Sequence, residues 1–79
     1  MSSRTNEIAA SVERTFTQYF LDLDGEKPAA IYDMVIRTVE RPMLEFVLRK
    51  ANGNQTAAAE ILGINRNTLR RKLSEYDLL

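Results

Sequence analysis

Asn52 to Tyr76, NGNQTAAAEILGINRNTLRRKLSEY, is the stretch that decides the fold. Ala57, Ala58, Ala59, Ile61 and Leu62 read as a compact apolar helix. Gly63 interrupts it, because glycine takes the left-handed conformation that ends helices without a Cβ penalty. Ile64 plugs the corner, and Asn65 can cap a second helix. From Arg66 to about Glu75 that second helix places Leu69, Leu73 and Tyr76 on one side, at i, i+4 and i+7. At ~100° per residue, Asn67, Arg71 and Ser74 fall opposite, with Thr68 and Arg70 on the flanks. Two short helices around a glycine turn, the second of them basic, form the pattern of a DNA-binding helix-turn-helix spanning residues 54–76.

Upstream, Asn52-Gly53 closes a long helix and Asn54 caps the first helix of the pair, Gln55 to Leu62. The long helix is expected from about Ala29 to Ala51, which is ~35 Å at 1.5 Å per residue. Ile31, Val35, Val39, Met43, Phe46 and Val47 give it one broad apolar face, and Met34, Leu44 and Leu48 extend that face around the cylinder. A helix apolar on more than one side has more than one partner to bury against. Pro42 lies inside it and predicts a kink near Val39, because proline removes a backbone donor and crowds the preceding turn. Two helices broken at Arg41-Pro42 are the alternative; the unbroken apolar phase from Val39 through Phe46 favours the kink.

An amphipathic helix is also expected from about Glu7 to Leu23, with Asn6 as its N-cap. Ile8, Val12, Phe16, Tyr19, Phe20 and Leu23 recur at three- and four-residue steps, and the aromatic residues among them read as core. Residues 1–6 are polar and expected to fray. Asp24-Gly25-Glu26-Lys27-Pro28 separates the two long helices, with Pro28 able to begin the second. No segment alternates with a period of two, so the fold class is all-α: four helices, with residues 7–51 supplying the long ones.

Seventy-nine residues make one small domain, for which oligomerisation is a common source of extra buried area. The formal net charge is zero, but it is unevenly spread. Residues 1–40 carry four Lys/Arg against seven Asp/Glu, and residues 41–79 carry seven against four. A basic half that contains the helix-turn-helix fits a nucleic-acid partner. The chain has no Cys and no His, which removes disulfides, thiolate chemistry and the commonest metal ligand and proton-transfer group. Glu40, Glu45 and Glu60 are scattered on helices with no such partner, so no catalytic constellation and no cofactor is expected. No apolar run approaches the ~20 residues of a membrane span, and the start lacks a secretion signal. A cytoplasmic protein is therefore expected.

The residue types suit DNA. Arg66 opens its helix, where recognition helices present side chains to base edges, and its planar fork matches guanine O6 and N7. Asn65 can pair with adenine or simply cap the helix. Asn54 can cap, touch phosphate, or do both, since a helix N-terminus attracts anions. Thr56 lies in the first helical turn, where hydroxyl and amide can both point at phosphate. Arg70, Arg71 and Lys72 form a basic run; such runs are usually solvated faces, but on a recognition helix they flank the groove.

From Asn52 onwards the chain resembles the Fis family, the factor for inversion stimulation, and also the C-terminal domains of NtrC-type activators. The strings GNQT and LGINRNTLRRKL carry the likeness, and the proline-containing ERPML inside IYDMVIRTVERPMLEFVLRKANGN extends it upstream. It covers about residues 8–76. The resemblance implies a bacterial, nucleoid-associated homodimer whose first two helices intertwine into a core and whose helix-turn-helix units enter adjacent major grooves of bent, double-stranded DNA. Carried over to this chain, it implies that Asn54 and Thr56 touch the backbone. Asn65 and Arg66 would reach base edges, while Thr68, Arg70, Arg71 and Lys72 hold phosphates.

Three departures stand against it. The family's N-terminal hairpin, which contacts DNA invertases, has no counterpart in the few residues ahead of the first helix, so that contact is not expected. Ala57 stands where the family has an arginine, and Ser74-Glu75 where it has two lysines. Fewer cations imply weaker phosphate binding. The competing expectations are an output domain of an NtrC-type activator and, given the zero net charge, a helical protein-interaction module that binds no DNA.

Overall fold

The computed structural model describes residues 3–79, with side chains described from residue 6. It contains four helices and, among the described residues, no strand. They are α1 (Ser3–Leu23), α2 (Ile31–Lys50), α3 (Gln55–Leu62) and α4 (Arg66–Glu75). The chain divides into two units, residues 1–31 and 32–79.

In the first unit α1 starts earlier than the sequence suggests. Ser3 to Asn6 are helical, so Asn6 lies inside the helix and is not its N-cap; residues 1 and 2 lie outside the described residues. No Gly or Pro interrupts these positions, so nothing stops the helix from propagating outward. None of its described side chains is fully buried. Ile8, Phe20 and Leu21 are half-exposed or more, although the sequence pattern places Phe20 in a core. Tyr19 and Phe20 meet edge to face at 5.6 Å between ring centroids. The helix stops at Asp24 and Gly25, both with positive φ.

α2 begins at Ile31, two residues later than expected, because Ala30 is held at φ 55° and cannot be helical. It runs without a break through Pro42 to Lys50, so the reading as two separate helices does not hold.

The core of the second unit joins the end of α2 to the helix-turn-helix. Leu44 and Val47 of α2 and Ala51 just after it are buried with Ala58 and Ala59 of α3 and with Leu69, Leu73 and Tyr76 at α4. Leu48, Ala57, Leu62, Ile64 and Leu78 pack around them. The alanines matter for their size: small side chains let α3 approach its neighbours closely. Ile61, read from the sequence as part of this apolar helix, faces away and is 59% exposed.

α2 thus has two apolar stripes. Leu44, Val47, Leu48 and Ala51 enter the core just described, whereas Ile36, Val39, Met43 and Phe46 remain 40–53% exposed. At ~100° per residue the centres of the two stripes lie about 110° apart around the helix.

The helix ends are closed locally. After α2, Gly53 N–H donates to Leu48 O (2.9 Å) and Asn52 N–H to Arg49 O (3.1 Å). After α3, Ile64 N–H donates to Ala59 O (3.1 Å) and Gly63 N–H to Glu60 O (3.2 Å). After α4, Leu78 N–H donates to Leu73 O (2.8 Å) and Asp77 N–H to Ser74 O (3.2 Å). Each is a Schellman motif, which satisfies the last carbonyls of the helix. The left-handed position is filled by Asn52, Gly63 and Asp77 in turn.

Candidate nucleic-acid interface

The two short helices meet through a turn of three residues, Gly63, Ile64 and Asn65. Asn54 is the N-cap of α3: its Oδ1 accepts from Ala57 N–H at 3.0 Å. Asn65 is the N-cap of α4, its Oδ1 accepting from Asn67 N–H at 2.7 Å. The capping reading of both asparagines is therefore realised, and each retains a side-chain NH2 that can still donate outward. Thr56 lies exposed in the first turn of α3.

On α4 the burial pattern sorts the side chains sharply. Leu69 and Leu73 are 0% exposed, whereas Arg66, Asn67, Arg70, Arg71 and Ser74 are exposed and Thr68 is half-buried. Among the described residues, neither Arg66 nor Arg71 takes part in an ion pair or a side-chain hydrogen bond. Arg70 makes a long contact from Nη1 to Gln55 Oε1 of α3, at 3.4 Å. Asn67, Arg70, Arg71 and Ser74 line a shallow open groove along α4, bounded by Glu75 and Leu79. Asn67 and Ser74 are not among the binding residues expected from the sequence, although helical periodicity puts them beside Arg71.

Lys72 is engaged within the chain. Its Nζ lies 2.7 Å from Glu40 Oε2 on α2, and its side chain is 29% exposed. Glu40 is engaged twice, since its Oε1 accepts from the Tyr76 hydroxyl, also at 2.7 Å. Arg41 adds a third link, donating from Nη1 to Tyr76 O at 2.9 Å. These bonds shift the titrations. Hydrogen bonds from Lys72 and then Tyr76 hold the Glu40 carboxyl below its ordinary value, against an opposing effect of burial. The bond to Glu40 raises the Tyr76 phenol above its ordinary value, with burial acting in the same direction.

The sequence offers a signal for Lys72. With Leu69 facing the core, Arg71 lies ~160° away and Arg70 ~100° away, but Lys72 lies only ~60° from it. Glu40, a scattered carboxylate by sequence, stands one turn before Leu44 on the inward stripe of α2, which brings it to the edge of the core.

A second basic feature closes α2. The guanidinium of Arg49 and the ammonium of Lys50 sit 5.7 and 5.6 Å from the centroid of the Phe46 ring. Cations there also favour the C-terminal end of the helix dipole. Among the described residues no group of His, Cys, Asp and Glu could hold a metal ion, and no helix is long and apolar enough to cross a membrane.

The model of the family described as "Bacterial regulatory protein, Fis family" matches residues 35–76, nearly the whole second unit. A relative from Ralstonia nicotianae is 50% identical over 74 residues, covering 94% of this chain and 96% of its own. One from Neisseria meningitidis serogroup A is 45% identical over 73 residues, covering 92% of each chain. A third, from Pseudomonas aeruginosa, is 51% identical over 69 residues, or 87% of this chain and 66% of its own. All three are provisionally named Fis-like DNA-binding proteins.

Proposed function

The chain belongs to the Fis family of bacterial regulatory proteins, a family of regulators and not of enzymes, and from that premise we propose that it works as a homodimer that binds and bends double-stranded DNA with little sequence selectivity. Its setting is the bacterial nucleoid, in the cytoplasm, and its effect is on transcription. The observation that carries the reading is the division of α4. The helix buries Leu69 and Leu73 and turns Arg66, Arg70 and Arg71 to solvent.

Arg66 and Asn65, at the start of α4, reach base edges; Thr68, Arg70 and Arg71 hold phosphates along the groove walls. Asn54 and Thr56 touch the backbone from the start of α3. One arginine per half-site discriminates weakly, so groove width and DNA flexibility supply much of the remaining selectivity.

Dimerisation is supported by the exposed apolar stripes. Ile36, Val39, Met43 and Phe46 on α2, and Ile8 and Phe20 on α1, are exposed apolar side chains that a partner would cover. Residues 7–51 supply the dimer helices in this reading and residues 54–76 the DNA-binding unit. Contact with a DNA invertase is not part of the proposal.

Gel shift against duplex DNA over a range of salt, together with sedimentation, tests the proposal. With two phosphate-holding arginines per protomer, log affinity falls against log salt with a slope near −4, at roughly −0.9 per contact. A slope shallower than about −2, or a protein that sediments as a single chain under binding conditions, overturns it.

A further inference from the structure

Three groups tie the middle of α2 to the end of α4: Lys72 Nζ to Glu40 Oε2, Tyr76 Oη to Glu40 Oε1, and Arg41 Nη1 to Tyr76 O. Both carboxylate oxygens of Glu40 are engaged, at 2.7 Å each. The pair is sheltered, with Glu40 15% and Lys72 29% exposed. It is unlike the other ion pairs of the second unit, Arg37–Asp33 and Arg41–Glu45, which are exposed and link residues one turn apart on α2 itself. Charge-assisted bonds are about twice as strong as neutral ones, and two of them on one carboxylate pin the end of α4 to α2 at two points.

The bonds also sit where rotation matters. Glu40 follows Val39 and precedes Met43, both on the exposed stripe assigned above to the dimer interface. Lys72 follows Arg70 and Arg71 on the helix assigned to DNA. A turn of α4 about its axis moves Arg66, Arg70 and Arg71 relative to a groove, and any tilt of α4 against α2 changes the distance between the two recognition helices of a dimer.

We propose that Glu40 is a positioning residue for DNA binding, clasping Lys72 and Tyr76 so that α4 leaves α2 at one fixed pitch, and that Lys72 is part of this clasp and makes no phosphate contact. The proposal rests on the reading of α4 as the DNA-contacting helix. It separates the basic run into two roles: Arg70 and Arg71 face outward to DNA, and Lys72 faces inward to Glu40.

The test measures the salt dependence of affinity for a fluorescein-labelled mixed-sequence duplex, using the full chain and its Lys72→Met and Arg71→Met variants. Lys72→Met keeps the wild-type slope. Arg71→Met flattens it by about 2 for the dimer, from roughly 0.9 per lost contact in each protomer. A Lys72→Met slope that flattens as much as that of Arg71→Met overturns the proposal. A wild-type chain that does not bind the duplex at all overturns the DNA reading and this inference together.

A second measurement addresses position directly. Energy transfer between dyes on the two ends of the duplex, at saturating protein, differs between wild type and Glu40→Gln, because the recognition helices are presented at another angle. A residue that only stabilised the fold would leave the bound, folded complex unchanged. Equal transfer efficiencies for the two proteins therefore overturn the positioning role.

Discussion

Replacing Gly63 with alanine isolates the contribution of one backbone conformation to the helix-turn-helix. Gly63 closes α3 at φ 74° and ψ 30°, and its N–H donates to both Ala59 O and Glu60 O. A Cβ built there meets nothing within 4 Å, so steric overlap with neighbouring side chains contributes nothing to the cost. The left-handed conformation itself costs an L-residue about 1–2 kcal/mol. Against this, alanine restricts the unfolded chain and returns about 0.4–1 kcal/mol. The net expectation is a loss of about 1 kcal/mol, or a fall of about 4–8 °C in melting temperature for a domain of this size.

Gly63→Asn should lose less than Gly63→Ala, because Asn52 occupies the equivalent position after α2 at φ 54°. The assay is thermal unfolding followed by circular dichroism at one fixed protein concentration, since a dimer's midpoint depends on concentration. An unchanged midpoint for Gly63→Ala, or Asn falling below Ala, would refute the reasoning. It would mean that the turn does not need its left-handed residue.

Other perturbations probe the remaining parts. Leu69→Ala removes a side chain with no exposure from the meeting point of α2, α3 and α4, and should cost about 2–5 kcal/mol in denaturant unfolding, without altering the far-ultraviolet signature of the helices that remain. Val39→Asp places a charge on the exposed stripe of α2; it should convert a sedimenting dimer to single chains, and a dimer that persists would move the interface elsewhere. Because the Glu40 carboxyl is held below its ordinary 4.5, its contribution is present above that value and is lost as pH falls through the folded-state value. Acid unfolding of Glu40→Gln should lack this component. Tyr76 works in the opposite sense: its phenol is raised above 10.0, so its contribution is complete below pH 10.0 and is lost as pH climbs through the higher folded value. A Tyr76→Phe variant should remove that alkaline loss from an unfolding titration.

The helices of the second unit were legible because their signals are local. Asn54 and Asn65 cap α3 and α4 through hydrogen bonds that reach only three and two residues along the chain. Gly63 carries its own conformational freedom, and the spacing of Leu69, Leu73 and Tyr76 defines a buried face whatever lies opposite it. The same locality misled at the first two helices. Asn6 has the chemistry of a cap, but the chain before it has nothing to stop a helix. Ala29 and Ala30 have helical propensity, yet the bend leading into Ile31 holds Ala30 left-handed.

What the sequence determined by itself is the set of helices, the N-caps of α3 and α4 and the outward placement of Arg70 and Arg71. Each comes from hydrogen bonds and periodicities that span a few residues. Which stripe of α2 meets the helix-turn-helix, that Ile61 faces solvent, and that Lys72 turns to Glu40 instead of joining its arginine neighbours were decided only in three dimensions. Periodicity specifies the angle at which a side chain leaves its helix, but the packing of one helix on another settles what it meets.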